Sequence, residues 1–297
     1  MSCVERIAED LYLVDTNQFG VPRCGGVYIL RSGGEAALVE SGTSLAVPRI
    51  EEALSTMGIP DDAVRWVFLT HIHLDHAGGA GFLLERLPEA RVVVHRRGGK
   101  HLADPTKLLA SVREATGDYF SFYGTAKPIP EERLVAVEGG EVFRLGELEV
   151  RVVPAPGHAP HHVCYHVPGP GYLFTGDAAG LWLEGRLLPA TPPPSFDPEA
   201  SLETLKRLRG VPAKLLLYTH YGPRNDPPRA LSQYEELLER WVETVRRAWV
   251  KTGSEEEALK RLLADPWVRS LPYRGAKPGE ELAMNIRGVL RYLARAS

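Results

Sequence analysis

The apolar run Trp66–Thr70 leads directly into His71-Ile72-His73-Leu74-Asp75-His76, and no other stretch restricts the fold of this chain as much. Three imidazoles and a carboxylate within six positions would repel one another or stay unsatisfied in an ordinary core, because clustered imidazoles repel once protonated. They fit a loop at a strand end, where a rigid scaffold can aim side chains at one point. Imidazole and carboxylate together are good ligands for zinc, and also for iron or manganese. His71 and His73 alternate and can point one way, while Asp75 and His76 reach a neighbouring position. A glycine pair, Gly78 and Gly79, follows.

Three further segments place a ligand-capable side chain beyond an apolar strand. Pro156-Gly157-His158-Ala159-Pro160-His161-His162 follows the strand expected over Leu148–Pro154. Phe174-Thr175-Gly176-Asp177 ends a strand with an acid. Tyr218-Thr219-His220-Tyr221-Gly222-Pro223 ends another with a histidine.

The pattern around these segments predicts strands over Leu11–Asp15, Val27–Arg31, Ala36–Glu40, Trp66–Thr70 and Arg91–His95. A second set covers Leu134–Glu138, Glu141–Leu145, Leu148–Pro154, Val163–Val167, Tyr172–Thr175 and Lys214–Thr219. Helices are expected over Leu45–Met57, Gly78–Leu87 and Pro198–Leu208. Lys100–Pro130 interrupts this rhythm with a helix over Pro105–Thr116 and the aromatic cluster Tyr119, Phe120, Phe122 and Tyr123. It reads as an insertion that caps the site. After Pro228 the pattern is helical only, over Arg229–Lys251, Ser254–Leu263 and Gly279–Ala296. Two successive strand sets with helices imply two packed sheets covered on the outside. We divide the chain into a catalytic domain over 1–225, with the possible cap at 100–130, and a helical extension over 226–297.

Taken jointly, HxHxDH, the PGH turn, the TGD acid and the late strand-end histidine resemble the metallo-β-lactamase superfamily, over roughly residues 5 to 225. That resemblance implies an α/β fold, a four-layer αββα sandwich followed by a C-terminal helical extension. It implies one metal held by His71, His73 and His162, a second held by Asp75, His76 and His220, and Asp177 between them. The ions would be divalent, zinc first, with iron or manganese as alternatives. His162 is taken as the ligand of the PGH segment because it stands four residues after His158, which then supports the turn; His161 occupies the position where relatives carry glycine. Glu40-Ser41-Gly42 stands where relatives carry an aspartate, and Glu40 is expected behind the ligands rather than in catalysis.

The activity implied is hydrolysis of a small ester, thioester or lactone by a metal-bridging hydroxide. Asp75 would orient it or accept its proton, and Tyr221 is a candidate donor to the developing oxyanion. The branch most similar is that of glyoxalase II and the lactonases. Ala178-Ala179-Gly180-Leu181-Trp182-Leu183, however, is apolar where glyoxalase II holds glutathione. The alternative is a persulfide dioxygenase-like oxidoreductase with one iron, which the full second ligand set disfavours.

Composition narrows the partners. A net charge of −3 gives no general attraction to nucleic acid or to an anionic membrane, and no apolar run approaches a membrane span. Cys3, Cys24 and Cys164 are widely separated and read as free thiols, so a cytoplasmic location is expected. The expected partner is a small acyl substrate, with a homodimer through the C-terminal helices as a further expectation carried by Trp241, Trp249 and Trp267.

Overall fold

The computed structural model describes residues 3–273 and 278–296. Seven strands form one sheet in chain order: Val4–Arg6, Leu11–Asp15, Gly26–Ser32, Glu35–Val39, Val64–Phe68, Arg91–His95 and Leu134–Val137. The first four pair antiparallel and the rest parallel. The second sheet has six strands in the order Gly222–Arg224, Leu215–Tyr218, Tyr172–Gly176, Val163–Val167, Leu148–Pro154 and Val142–Leu145.

Alternation along the strands explains why the sheets stack. Successive side chains of a strand point to opposite faces. In the first sheet Leu11, Leu13, Tyr28, Leu30, Val39, Phe68 and Val93 point inward to Val150, Val152, Val163 and Tyr165 of the second. Their neighbours Val27, Ile29, Leu38, Val67, Val92 and Val94 point outward to Ile50 and Leu54 of helix Val47–Thr56 and Leu83 of helix Ala80–Arg86. A sheet buried on both faces needs this near-continuous apolar sequence. The result is the four-layer αββα sandwich that the sequence implied.

The C-terminal helices Pro227–Thr252, Glu255–Ala264 and Pro278–Ala296 share one hydrophobic cluster with the second sheet. Leu231, Leu238, Trp241 and Val245 recur at helical spacing and are buried, as are Ile286, Val289 and Leu290. Trp241 donates its indole N–H to Thr191 Oγ1 at 3.0 Å, so its polar edge is satisfied inside the core. Gly288 lets the last helix lie against backbone: a Cβ there would sit 1.8 Å from the Thr191 carbonyl oxygen. No described helix is long and apolar enough to cross a membrane.

Three local differences from the expected pattern matter for the site. The strand anticipated over Trp66–Thr70 runs over Val64–Phe68, because beyond it the Thr70 amide turns to donate to Glu40 Oε2 at 3.2 Å. A helix over Arg96–Ala103 precedes the one at Thr106–Thr116, which was expected over Pro105–Thr116, and the apolar stretch after Asp177 folds into a hairpin of Leu181–Leu183 and Arg186–Leu188. Gly98-Gly99 masks the added helix from a propensity reading, and three-residue strands carry too little pattern to show the hairpin.

Candidate metal centre

Each side chain of the centre stands just past a strand end. His71, His73, Asp75 and His76 follow Val64–Phe68, and a turn of helix over Leu74–Ala77 swings Asp75 and His76 back beneath the first two. His158 follows Leu148–Pro154, Asp177 follows Tyr172–Gly176, and His220 follows Leu215–Tyr218. One sheet supplies the first four residues and the other sheet the last three.

Two groups of donors result. His71 Nε2 and His158 Nε2 lie 2.9 and 3.0 Å from His73 Nδ1. His76 Nε2 and His220 Nε2 are 3.2 Å apart, with Asp75 Oδ2 at 3.9 and 3.5 Å from them. Asp177 joins the groups: Oδ1 lies 3.4 Å from His76 Nε2 and 3.7 Å from His220 Nε2, while Oδ2 lies 3.4 Å from His158 Nε2.

Hydrogen bonds behind the rings fix which nitrogen faces the centre. His76 Nδ1 donates to Glu40 Oε1 at 3.0 Å, His158 Nδ1 to the Ala190 carbonyl at 2.9 Å and His220 Nδ1 to the Cys24 carbonyl at 2.7 Å. Thr70 Oγ1 donates to Glu40 Oε1 at 2.5 Å and accepts from His71 Nδ1 at 3.0 Å. An acceptor behind the Nδ1 of each of these four rings favours the tautomer that turns Nε2 to the centre, as a metal ligand needs. Burial pulls His76 down, but Asp177, Glu40 and Asp75 outweigh it and raise His76 well above the ordinary histidine range. Glu40 is fully buried and also accepts from Thr219 Oγ1, so it stands behind the ligands of both sheets. Gln18 donates to Asp75 Oδ2 at 3.2 Å.

The electrostatics suit a cation. Burial and the neighbouring histidines hold His71 and His73 well below the ordinary histidine range, so both stay neutral. Burial pushes the Asp177 carboxyl up, but the pull of His76, His158 and His220 outweighs it and keeps it ionised. Asp177 Oδ1 is buried and makes no hydrogen bond. A buried carboxylate oxygen without a donor is costly, and inward lone pairs on four imidazoles repel one another unless a cation lies between them. Tetrahedral donors at roughly 2.0–2.1 Å stand roughly 3.4 Å apart, close to the separations observed here. The residues present therefore fit divalent ions.

Two residues expected at the site are placed outside the donor groups. His162 is in neither group, and His158 stands with His71 and His73. His162 immediately precedes strand Val163–Val167, so its ring is directed into the sandwich and stacks on His71 at 4.8 Å. Its Nε2 accepts the Asp177 amide at 3.1 Å, which spends the lone pair on positioning Asp177. The signal available was position relative to strand ends: His158 follows one, as His71, Asp177 and His220 do. His161 also lies outside the donor groups, 6.0 Å from His73 between ring centres. Tyr221 is the second such residue and is not among those that line the cavity. Its ring lies under the Arg23 guanidinium at 4.5 Å, and its hydroxyl feels Asp15 and Glu5 rather than the centre.

A cavity of about 750 Å³ opens over the donors. The segment read as an insertion forms one wall: Tyr119 and Tyr123 pack with Leu74 of the ligand loop, alongside Phe19 and Leu108. Sequence reasoning missed Tyr123 as a site residue. It lines the cavity, and burial followed by the charge of Asp75 pushes its phenol up, so it remains a donor. The opposite wall includes Tyr273, Glu281 and Met284 from the C-terminal region. Tyr119 donates to Glu281 Oε1 at 2.8 Å and ties the two walls together.

Comparison with known proteins agrees with this geometry. Residues 25–220 match the model of the Metallo-beta-lactamase superfamily. The Metallo-beta-lactamase fold-containing protein ST1585 of Sulfurisphaera tokodaii is 30% identical over 71% of this chain and 78% of its own. The crystal structure of an archaeal metallo-beta-lactamase superfamily protein from Sulfolobus tokodaii superposes with a TM-score of 0.72 at 25% identity, over 98% of this chain and 100% of that one. A hydroxyacylglutathione hydrolase from Aeromonas salmonicida is 28% identical over 65% of this chain, and an atrochrysone carboxyl ACP thioesterase from Aspergillus fumigatus 30% over 50%. The matches span 59% and 38% of those two relatives. The family match, the shared fold and the converging histidines and aspartates place this chain in the metallo-beta-lactamase superfamily, whose members are generally metal-dependent hydrolases.

Proposed function

We propose that the chain is a dinuclear metal-dependent hydrolase that cleaves a small ester, thioester or lactone. The observation that carries this reading is the pair of donor groups joined by the two oxygens of Asp177. His71, His73 and His158 would hold one ion, and Asp75, His76 and His220 the other, most readily zinc. Two divalent ions at such a site supply Lewis acidity, which brings the pKa of water towards about 7 and polarises a carbonyl.

The chain's own residues prepare the rest. Asp75 is the donor carboxylate most open to the cavity, and Gln18 holds its Oδ2, leaving Oδ1 to orient the nucleophile or take its proton. Tyr123 lines the cavity with its phenol kept protonated, and its hydroxyl would serve as a donor for the carbonyl oxygen or the leaving group. Leu74, Leu181, Leu183 and Met284 give that cavity an apolar lining, which excludes water and favours an apolar acyl group. A complete second donor group favours hydrolysis over one-iron oxygen chemistry, which needs no Asp75, His76 and His220 together.

Metal content by mass spectrometry on protein purified without added metal, followed by a panel of esters, thioesters and lactones, tests the reading. Two equivalents of zinc or a mixed pair with esterase-type turnover is the expected result. One equivalent of iron with oxygen uptake on persulfides would overturn it.

A further inference from the structure

The cavity has two chemically different sides. Leu181, Leu183, Pro192, Pro193 and Met284 make one side apolar. Helices Arg96–Ala103 and Thr106–Thr116 make the other, and Arg97, Lys100 and Lys107 line it with exposed side chains. None of these three cations has an ion-pair partner among the described residues. Their neighbour Arg96, turned to the far side of the same helix, is paired with Glu138.

The acids that line the cavity do not offset this charge. Asp75 and Asp177 belong to the donor groups, and Glu281 is occupied by the Tyr119 hydroxyl, with burial raising its carboxyl to about 8. The positive field is felt on the wall itself: after burial, Lys100 and Lys107 are what lowers His101. Three cations on one wall, with Asp104 the acid that feels Lys107 there, are not a reflection of composition on a chain of net charge −3. Three unpaired cations flanking a concave site raise the local concentration of anions and hold them weakly one by one, more firmly together.

We propose that Arg97, Lys100 and Lys107 form an anion subsite that binds a phosphate or carboxylate carried by the leaving-group half of the substrate. This rests on the hydrolase reading above. An acyl compound has two ends, and the apolar side of the cavity takes the acyl end, so the charge belongs to the carrier from which the acyl group is cleaved. A thiol or alcohol carrier bearing a phosphate or a carboxylate is the class that fits. The subsite lies on helices Arg96–Ala103 and Thr106–Thr116, not on the apolar hairpin that follows Asp177.

The test compares S-acetyl thioesters of 4′-phosphopantetheine, of glutathione and of neutral N-acetylcysteamine. The wild-type chain is expected to show a KM about tenfold lower for at least one anionic thioester than for the neutral one, as two or three exposed ion pairs allow. The K100E/K107E double variant should erase that ratio, whereas R246E on the outer helix should keep it. Should the double variant not fold, R97Q and K107Q are read in the same way, each with a smaller loss. A preference for the phosphopantetheine thioester identifies phosphate, and one for the glutathione thioester carboxylate. Calorimetric binding of the three free thiols separates the two proposals. Binding of an anionic thiol that charge reversal abolishes, without turnover of any thioester, would sink the hydrolase reading and leave the subsite standing. Turnover with a KM ratio near one, or a ratio that charge reversal leaves unmoved, would overturn the subsite alone.

Discussion

The carboxylate of Glu40 accepts the Nδ1 proton of His76 at 3.0 Å, with both side chains sealed from solvent. Through Thr70 the same oxygen also sets His71, and Thr219 brings the neighbour of His220 to it. One buried acid thus fixes ring orientation in both donor groups. Replacing Glu40 by Gln keeps the shape but offers a weaker acceptor, so metal affinity should fall by about 10- to 100-fold. Competition with a fluorescent chelator measures this, and an unchanged affinity would remove Glu40 from its positioning role.

His158 and His162 make opposite predictions for metal stoichiometry. The H158A variant should lose about one equivalent of metal, because it deletes a donor whose Nε2 faces the centre. H162A should keep both equivalents and instead lower turnover, since it frees the Asp177 amide. Mass spectrometry of the two purified variants decides between them.

Tyr221 and Tyr123 separate by kinetics. Y221F should leave kcat within about twofold, because its ring lies under Arg23 and does not line the cavity. Y123F removes a donor from the cavity wall and should lower kcat by about tenfold or more. Equal losses in both would mean that neither hydroxyl assists the reaction directly.

The carboxyl of Glu281 is raised to about 8, chiefly by burial. A folded-state value above the unfolded one means that the native chain binds the extra proton between the two values. Its stability contribution is therefore greatest at low pH and is lost as pH rises through the window up to about 8. E281Q keeps an acceptor for Tyr119 without the charge. It should raise Tm at pH 8 by roughly 2 °C or more and change it little at pH 5. Thermal scans at both pH values, with metal content held constant, check the sign.

Much of this could be read before folding. The continuous apolar runs Val27–Leu30 and Val92–Val94 specify strands buried on both faces, and strand-end acids and histidines mark the centre. Whether His158 or His162 faces the metals could not be read from spacing alone, because it depends on which ring finds a carbonyl 32 residues away. Tyr221 was not legible either: it lies in the turn between Leu215–Tyr218 and Gly222–Arg224, where strand alternation does not set the direction of a side chain. The wall made by Tyr273 and Glu281 was not, since nothing local tells where a distant helix docks. Gly288, which permits the close approach to Thr191, gives no hint of its partner.

The donors come from both halves of the sandwich, four from one sheet and three from the other. Ions held between them would act as rivets across the seam, adding to cohesion by an amount that grows with the logarithm of free metal concentration. Depletion of metal would then do more than stop chemistry. It would loosen the joint between two sheets that otherwise hold each other along that edge by apolar contact and a few hydrogen bonds, such as Thr219 to Glu40 and His220 to the Cys24 carbonyl, and a cell could tell a starved copy from a loaded one by how readily it yields to proteolysis.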